Sequence, residues 1–386
     1  MCSRLGEHEE VWRDRQPIFR SHGYILRPRL RPGWMPSWRF AGEHANPFQF
    51  EDSKALPKSR SDALLCTIDA RRISDGRLVH IKRVQANGVE HKIAEMLLHE
   101  SSDNVMPVID IFQSRQKPKE AFIVTPFLRA ANSPAFDCVE DMLDCGEQLL
   151  ENLANLHSKG IAHRSIDARD LTIDAAPLYP QGFHPIEDDC LPDGVTPARP
   201  LPRKHTRVKY YIVNFRSAVR FPAPYDPERP PMLDVDRDVL RNLAHGTMPP
   251  ELRDTRKGTR VQYDPYMLDV WLLGRALDHM FNQTGRNVDF LRPLFDRMCH
   301  PAPGSRWTAV EALRQWRDMR AERMGSPRHH WRPKDRAGRL KETGVRGHAR
   351  SRVLQFLSVH KQLSSGREEE NSSEECGQNS QRRRTP

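Results

Sequence analysis

A chain of 386 residues with a hydrophobic share of 37%, 31 prolines and a mean hydropathy of −0.72 has room for two lobes and tails, and it holds no apolar run of about 18 residues to span a membrane. The net charge of +10 is unevenly placed: residues 317–386 carry 17 Lys/Arg against 9 Asp/Glu, so the body is close to neutral, and nucleic-acid binding, which is not the expected role, would belong to the basic tail alone. The seven cysteines are scattered without a C-x-x-C pair, and residues 1–10 lack an apolar signal core; a disulfide framework, a zinc site and secretion are not expected, and a cytoplasmic or nuclear setting fits.

In chain order, residues 1–59 form an N-terminal arm. Its Arg-Pro alternation over residues 23–34 predicts extended, non-helical chain, with Trp34, Trp38 and Phe40 pinning it along the domain. Residues 63–70 predict a strand, Asp75-Gly76 a hairpin turn, and residues 78–84 the return strand. Residues 90–98 predict a helix with Ile93, Met96 and Leu97 on its apolar side. Residues 104–112 and 121–124 predict two further strands. A long helix over 141–159 buries Met142, Leu143, Leu149, Leu150, Leu153 and Leu156. It delivers the loop His163-Arg164-Ser165-Ile166-Asp167-Ala168-Arg169-Asp170-Leu171. After a short strand at 171–174, the proline-rich residues 175–207 predict a surface loop. A strand at 208–213 leads into Asn214-Phe215-Arg216, and a last helix covers 309–319. The tail, 321–386, is expected to be solvated and disordered, with the Arg run 382–384 a candidate nuclear address.

In order and spacing, these stretches resemble a protein kinase. Residues 78–84 are similar to the V-A-I-K strand, with His80 in the Ala position. The resemblance implies that Lys82 contacts the α/β-phosphates of ATP and pairs with Glu90, with Glu95 as the fallback partner. It places Thr125 at the gatekeeper position and Pro126-Phe127-Leu128 at the hinge that faces an adenine. The loop at 163–171 resembles H-R-D-x-x-x-x-N, and Asn214-Phe215-Arg216 resembles D-F-G. Residues 246–251 look like the end of an activation segment, and residues 269–274 like the D-V-W-x-x-G helix; Arg306 is implied to pair with Glu251. The implied fold is α+β with two lobes. A small, mostly β lobe with one helix covers about 60–128. A larger, mostly α lobe covers about 129–320 and contains the insertion 175–207. The R-P-R-x-R-P-G-W arm and the P-x-G-F-H-P insertion look like features of fungal, basidiomycete-type kinase-like proteins.

The departures decide the expected chemistry. Ser165 stands where the resemblance expects the catalytic Asp, and a hydroxyl is a poor proton acceptor at neutral pH; general-base terms contribute ~10²–10⁴-fold. Asp167 is a substitute base only if the backbone shifts. Asp170 replaces a metal-binding Asn, and Asn214 replaces a metal-binding Asp, so the site exchanges the two ligand types. No glycine occurs between Gly42 and Gly76, which removes the usual glycine-rich phosphate cover. The expectation is a pseudokinase scaffold for a protein partner, with ATP and Mg²⁺ bound weakly or not at all. The alternative is an atypical active protein kinase, transferring phosphate to Ser/Thr through Asp167 or Asp170.

Overall fold

The computed structural model of the chain describes residues 3–57, 66–100, 104–221, 226, 231–236, 239, 243, 248–257, 261–282 and 286–323. Two short helices come first, α1 (Glu7–Arg13) and α2 (Gln16–Ser21). They precede a five-stranded sheet built from β1 (Tyr24–Ile25), β2 (Thr67–Arg72) and β3 (Leu78–Gln85), then, after helix α3 (Val89–Leu98), β4 (Asp110–Gln113) and β5 (Glu120–Pro126). The strand order is β1-β2-β3-β5-β4.

Period-two alternation gives this sheet two chemically distinct faces. Ile68, Ala70, Val79, Ile81, Phe122 and Val124 share one face, covered by Trp12, Phe19, Leu26 and Leu30. The cross-strand register puts Asp69 opposite His80 and His80 opposite Thr125, with Lys82 opposite Ile123, on the other face. The small lobe therefore carries α1 and α2 in addition to α3. The expected strand at 104–112 is shorter than its apolar content suggests. It pairs only from Asp110, because Pro107 cannot donate to a ladder, and Val105 and Met106 pack with Ile93 and Leu97 of α3 instead.

The Arg-Pro stretch is not simply extended. Pro28–Leu30 closes a 3-10 turn, fixed by Arg29, whose guanidinium donates to both oxygens of buried Glu9 at 2.8 and 2.9 Å. Trp38 is buried and Trp34 Nε1 donates to Asp52 at 2.8 Å, but Phe40 is 74% exposed and pins nothing.

The larger lobe continues with β6 (Arg129–Ala130), α4 (Val139–Ser158), β7 (Ile161–Ala162), β8 (Leu171–Asp174), β9 (Lys209–Ile212), β10 (Val219–Arg220), β11 (Leu233–Asp234) and β12 (Gln262–Tyr263). It closes with α5 (Pro265–Asn282), α6 (Arg292–Met298) and α7 (Ala309–Arg323). The six apolar residues expected to line the long helix are all buried in α4. α7 crosses α4 at Gly146, where an added Cβ would sit 2.2 Å from the ring of fully buried Trp316. Gly146→Ala is therefore expected to cost about 1–3 kcal/mol in urea unfolding, and combination with Trp316→Phe should cost less than the sum of the two changes.

The insertion corrects the surface-loop expectation. Leu178, Tyr179, Phe183, His184, Ala198 and Arg203 are buried. Arg203 reaches under Phe136, 4.8 Å from its ring, and donates to the carbonyls of Ala131, Pro134 and Ala135 at 2.6–3.2 Å. Arg203 thus anchors the insertion by satisfying carbonyls of the 131–135 segment, while about half of the insertion's residues stay exposed. Residues 63–65, 246–247 and 324–386, with the Arg run, lie outside the described residues, while 321–323, expected to begin the tail, continue α7. Among the described residues no helix is long and apolar enough to cross a membrane.

Candidate functional site

The face of β3 that carries Lys82 looks across to the loop after β9, and a single run of hydrogen bonds joins them. Lys82 Nζ donates to Glu90 Oε1 at 2.5 Å and to Asn214 Oδ1 at 2.8 Å. Asn214 Nδ2 donates to Asp170 Oδ1 at 2.9 Å, and Asp170 Oδ2 accepts from the Asp167 amide at 3.1 Å. Glu90, not Glu95, is the partner of Lys82; Glu95 lies 3.6 Å from His91 on the same helix. The turn between β3 and α3 closes with Asn87 at φ 61°, a left-handed conformation that Asn tolerates, which lets so short a gap place Glu90. Asn214 takes a left-handed conformation as well, with φ 74° and ψ 64°.

Asp170 is buried, and burial raises its carboxyl to about 6, partly opposed by His163 and by the Asn214 hydrogen bond. Asp167 turns the other way. Its Oδ1 accepts from the Arg169 amide at 2.6 Å and its Oδ2 from Arg169 Nε at 2.9 Å. Ser165 is half-buried.

The loop is held from beneath by Asp269, which is fully buried on α5. It accepts from the amides of His163 and Arg164 at 2.7 and 2.6 Å, and His157 Nε2 lies 3.2 Å away. Arg164 sits at φ 65° and spends its guanidinium on the Ser217 carbonyl and on Asp236, both at 2.6 Å. His163 packs on Phe215, centroids 5.3 Å apart, and its Nε2 meets the Val213 carbonyl at 2.9 Å. Phe215 in turn joins Ile93, Leu97 and Ile161, so the Asn-Phe-Arg turn, α3 and β7 just before the loop share one apolar cluster. Arg306 and Glu251 form a two-pronged pair, both bonds 2.7 Å.

The hinge end differs in kind. Thr125, for which the resemblance implies a gatekeeper position, is half-buried opposite His80, and Leu128 is buried. Phe127 packs on His80 with centroids 4.1 Å apart and on Phe183 of the insertion at 5.6 Å. Burial lowers His80 to about 4, with Asp69 opposing. A histidine that folds neutral costs stability where the unfolded chain is protonated. This contribution is whole above pH 6.5 and is lost as pH falls toward 4. Wild type is expected to lose up to about 3 kcal/mol over that range. His80→Phe should lack this acid-linked loss; parallel loss in both proteins, by urea titration at pH 7 and 4.5, would contradict it.

Sequence reasoning left His80 as an oddity of its strand, although alternation already places it on the face of Lys82. It missed Phe183 and Asp236, for which no periodic signal exists.

Small β lobe, paired Lys82 and Glu90, helix-supported loop and Arg306–Glu251 pair together define a two-lobed, protein-kinase-like fold. No family profile matches the chain, and no curated protein matches it. Among solved structures it is similar to the crystal structure of Rad53 kinase domain and SCD2, at 15% identity and a TM-score of 0.38, over 65% of this chain and 83% of that one.

Proposed function

We propose that this chain is a pseudokinase scaffold: a kinase-like domain that holds a protein partner and transfers phosphate weakly or not at all. One observation carries the reading. Both carboxylates of the 163–171 loop are engaged within the structure, Asp167 by Arg169 and Asp170 by Asn214 and the Asp167 amide, while the expected base position offers the hydroxyl of Ser165. A base must be within hydrogen-bond reach of the proton it takes, and both carboxylates already accept hydrogen bonds from groups of the protein itself. In this reading the partner is a protein, nucleic acid is not required, and the protein works in the cytoplasm or nucleus.

ATP with Mg²⁺ fits the site poorly. Of the two oxygens that the resemblance offers a cation, Asn214 Oδ1 accepts from cationic Lys82, and Asp170 Oδ1 accepts from Asn214. Hard cations favour free carboxylates. Among the described residues no glycine-rich hairpin joins β1 to β2, and the sequence between them carries no glycine after Gly42.

With purified full-length protein, Mg·ATP and a generic Ser/Thr substrate, turnover is expected at least ~10²-fold below the ~1–100 s⁻¹ usual for kinases. Turnover within the usual range would sink the reading. The alternative, an atypical Ser/Thr phosphotransferase, is favoured by one feature: the Asp170 carboxyl, raised to about 6, lies near the range where a general base operates. Measurable turnover abolished by Asp170→Ala would establish it.

A further inference from the structure

We propose that the hinge end of the cleft is filled by the protein's own aromatic rings and latched by a clasp between the β1–β2 connection and the insertion, so that nucleotide is excluded until the clasp opens. The inference rests on the kinase-like reading, which puts an adenine against Phe127 and Leu128.

The filling is a matter of distances. A planar base held between two rings needs them about 7 Å apart, twice a normal carbon–carbon contact. The His80 and Phe127 centroids are 4.1 Å apart, tilted by 36°. Phe183 closes the open side of Phe127 at 5.6 Å, edge on, and is itself backed by Tyr179 at 5.1 Å. The Arg129 guanidinium lies 4.9 Å from both the Tyr179 and Phe183 rings, and its Nη1 donates to the Asp188 carbonyl at 2.6 Å. The plug is thus anchored to β6 as well as to the insertion.

The clasp joins segments far apart in sequence. His184 is 1% exposed, and its Nδ1 accepts from the amides of Ile186 and Glu187 at 3.2 and 2.9 Å. The ring proton therefore sits on Nε2, which donates to Glu51 Oε1 at 3.3 Å. Glu51 also lies 3.5 Å from Arg27, which is buried and donates from Nε to Asp69 at 2.8 Å on the His80 face of β2. Gly194, at φ +71°, lets the insertion close on the connection: a Cβ there would meet His184 at 3.3 Å and Lys54 at 3.4 Å. Insertion, connection and sheet converge beside the ring that fills the slot. A cleft that must first open binds with an affinity reduced by its open fraction.

The test uses the full chain with N-methylanthraniloyl-ATP, with and without Mg²⁺, and amide hydrogen exchange at residues 127–131. Wild type is expected not to saturate below ~1 mM. The Glu51→Ala/Phe183→Ala double variant should bind roughly tenfold tighter or more, with a matching acceleration of hinge exchange. Phe183→Leu, which keeps apolar volume, replaces the alanine change if that variant loses cooperative unfolding. Micromolar binding by wild type, unchanged hinge exchange in the variant, or faster exchange without gained binding each overturns the proposal. Nucleotide binding by wild type without phosphoryl transfer overturns the gate alone; phosphoryl transfer removes the scaffold reading.

Discussion

Asp269→Ala is expected to destabilise the protein by about 4 kcal/mol, and to do so from beneath the 163–171 loop. The carboxylate is fully buried and accepts from two backbone amides, at 2.7 Å from His163 and 2.6 Å from Arg164. Its removal leaves both amides without this partner, at roughly 1–3 kcal/mol each. It also frees Arg164 from a left-handed backbone, φ 65°, that a non-glycine residue holds only when its surroundings over-determine it. Asp269→Asn keeps one acceptor and should cost about half as much. Urea unfolding gives the magnitude, and exchange at the amides of residues 163 and 164 gives the location. A variant with unaltered exchange at those two amides would show that the loop is held by something other than Asp269.

The second large effect is expected at Arg306. Its side chain is fully buried, and besides the two bonds to Glu251 it donates to the carbonyls of His300 at 2.8 Å and Met267 at 3.0 Å. Breaking a buried pair from one side strands the other charge, at about 3–5 kcal/mol. Arg306→Ala should show that loss, and Arg306→Lys most of it, since an ammonium cannot reproduce the planar fork. Glu251→Gln added to Arg306→Ala should cost less than the two changes summed, with a coupling of about 2 kcal/mol or more. Strict additivity would mean that the two residues are stabilised independently.

What was legible in the sequence is what repeats or what is fixed by spacing. The α4 stripe is periodic, and all six of its expected residues are buried. The pairings of Lys82 with Glu90 and of Arg306 with Glu251 came from the resemblance of their motifs and the order of those motifs, and both pairs are formed. The rest rests on contacts without period. β1 is two residues long and pairs with a strand that begins at Thr67, so alternation has nothing to act on. The insertion is packed by Arg129 and Arg203 against aromatic faces, and such contacts leave no pattern along the chain. Glu51 and His184 are 133 positions apart, and neither motif order nor propensity links them. The same limit holds at Asn214: its type was readable as a lost carboxylate, but its role as the link between Lys82 and Asp170 depends on a left-handed backbone that only three-dimensional context imposes.

The pairing of β1 with β2 has a practical side. A fragment started near residue 60, at the edge of the kinase-like stretch, would lack β1 and both leading helices. β2 would then lose its pairing at Arg71 and Arg72, and Ile68, Val79, Ile81 and Phe122 would lose the cover of Trp12, Phe19, Leu26 and Leu30. A lengthened bare margin beside an uncovered apolar face recruits other chains, so such a fragment should aggregate during production, whereas the chain that keeps its first residues covers that face itself.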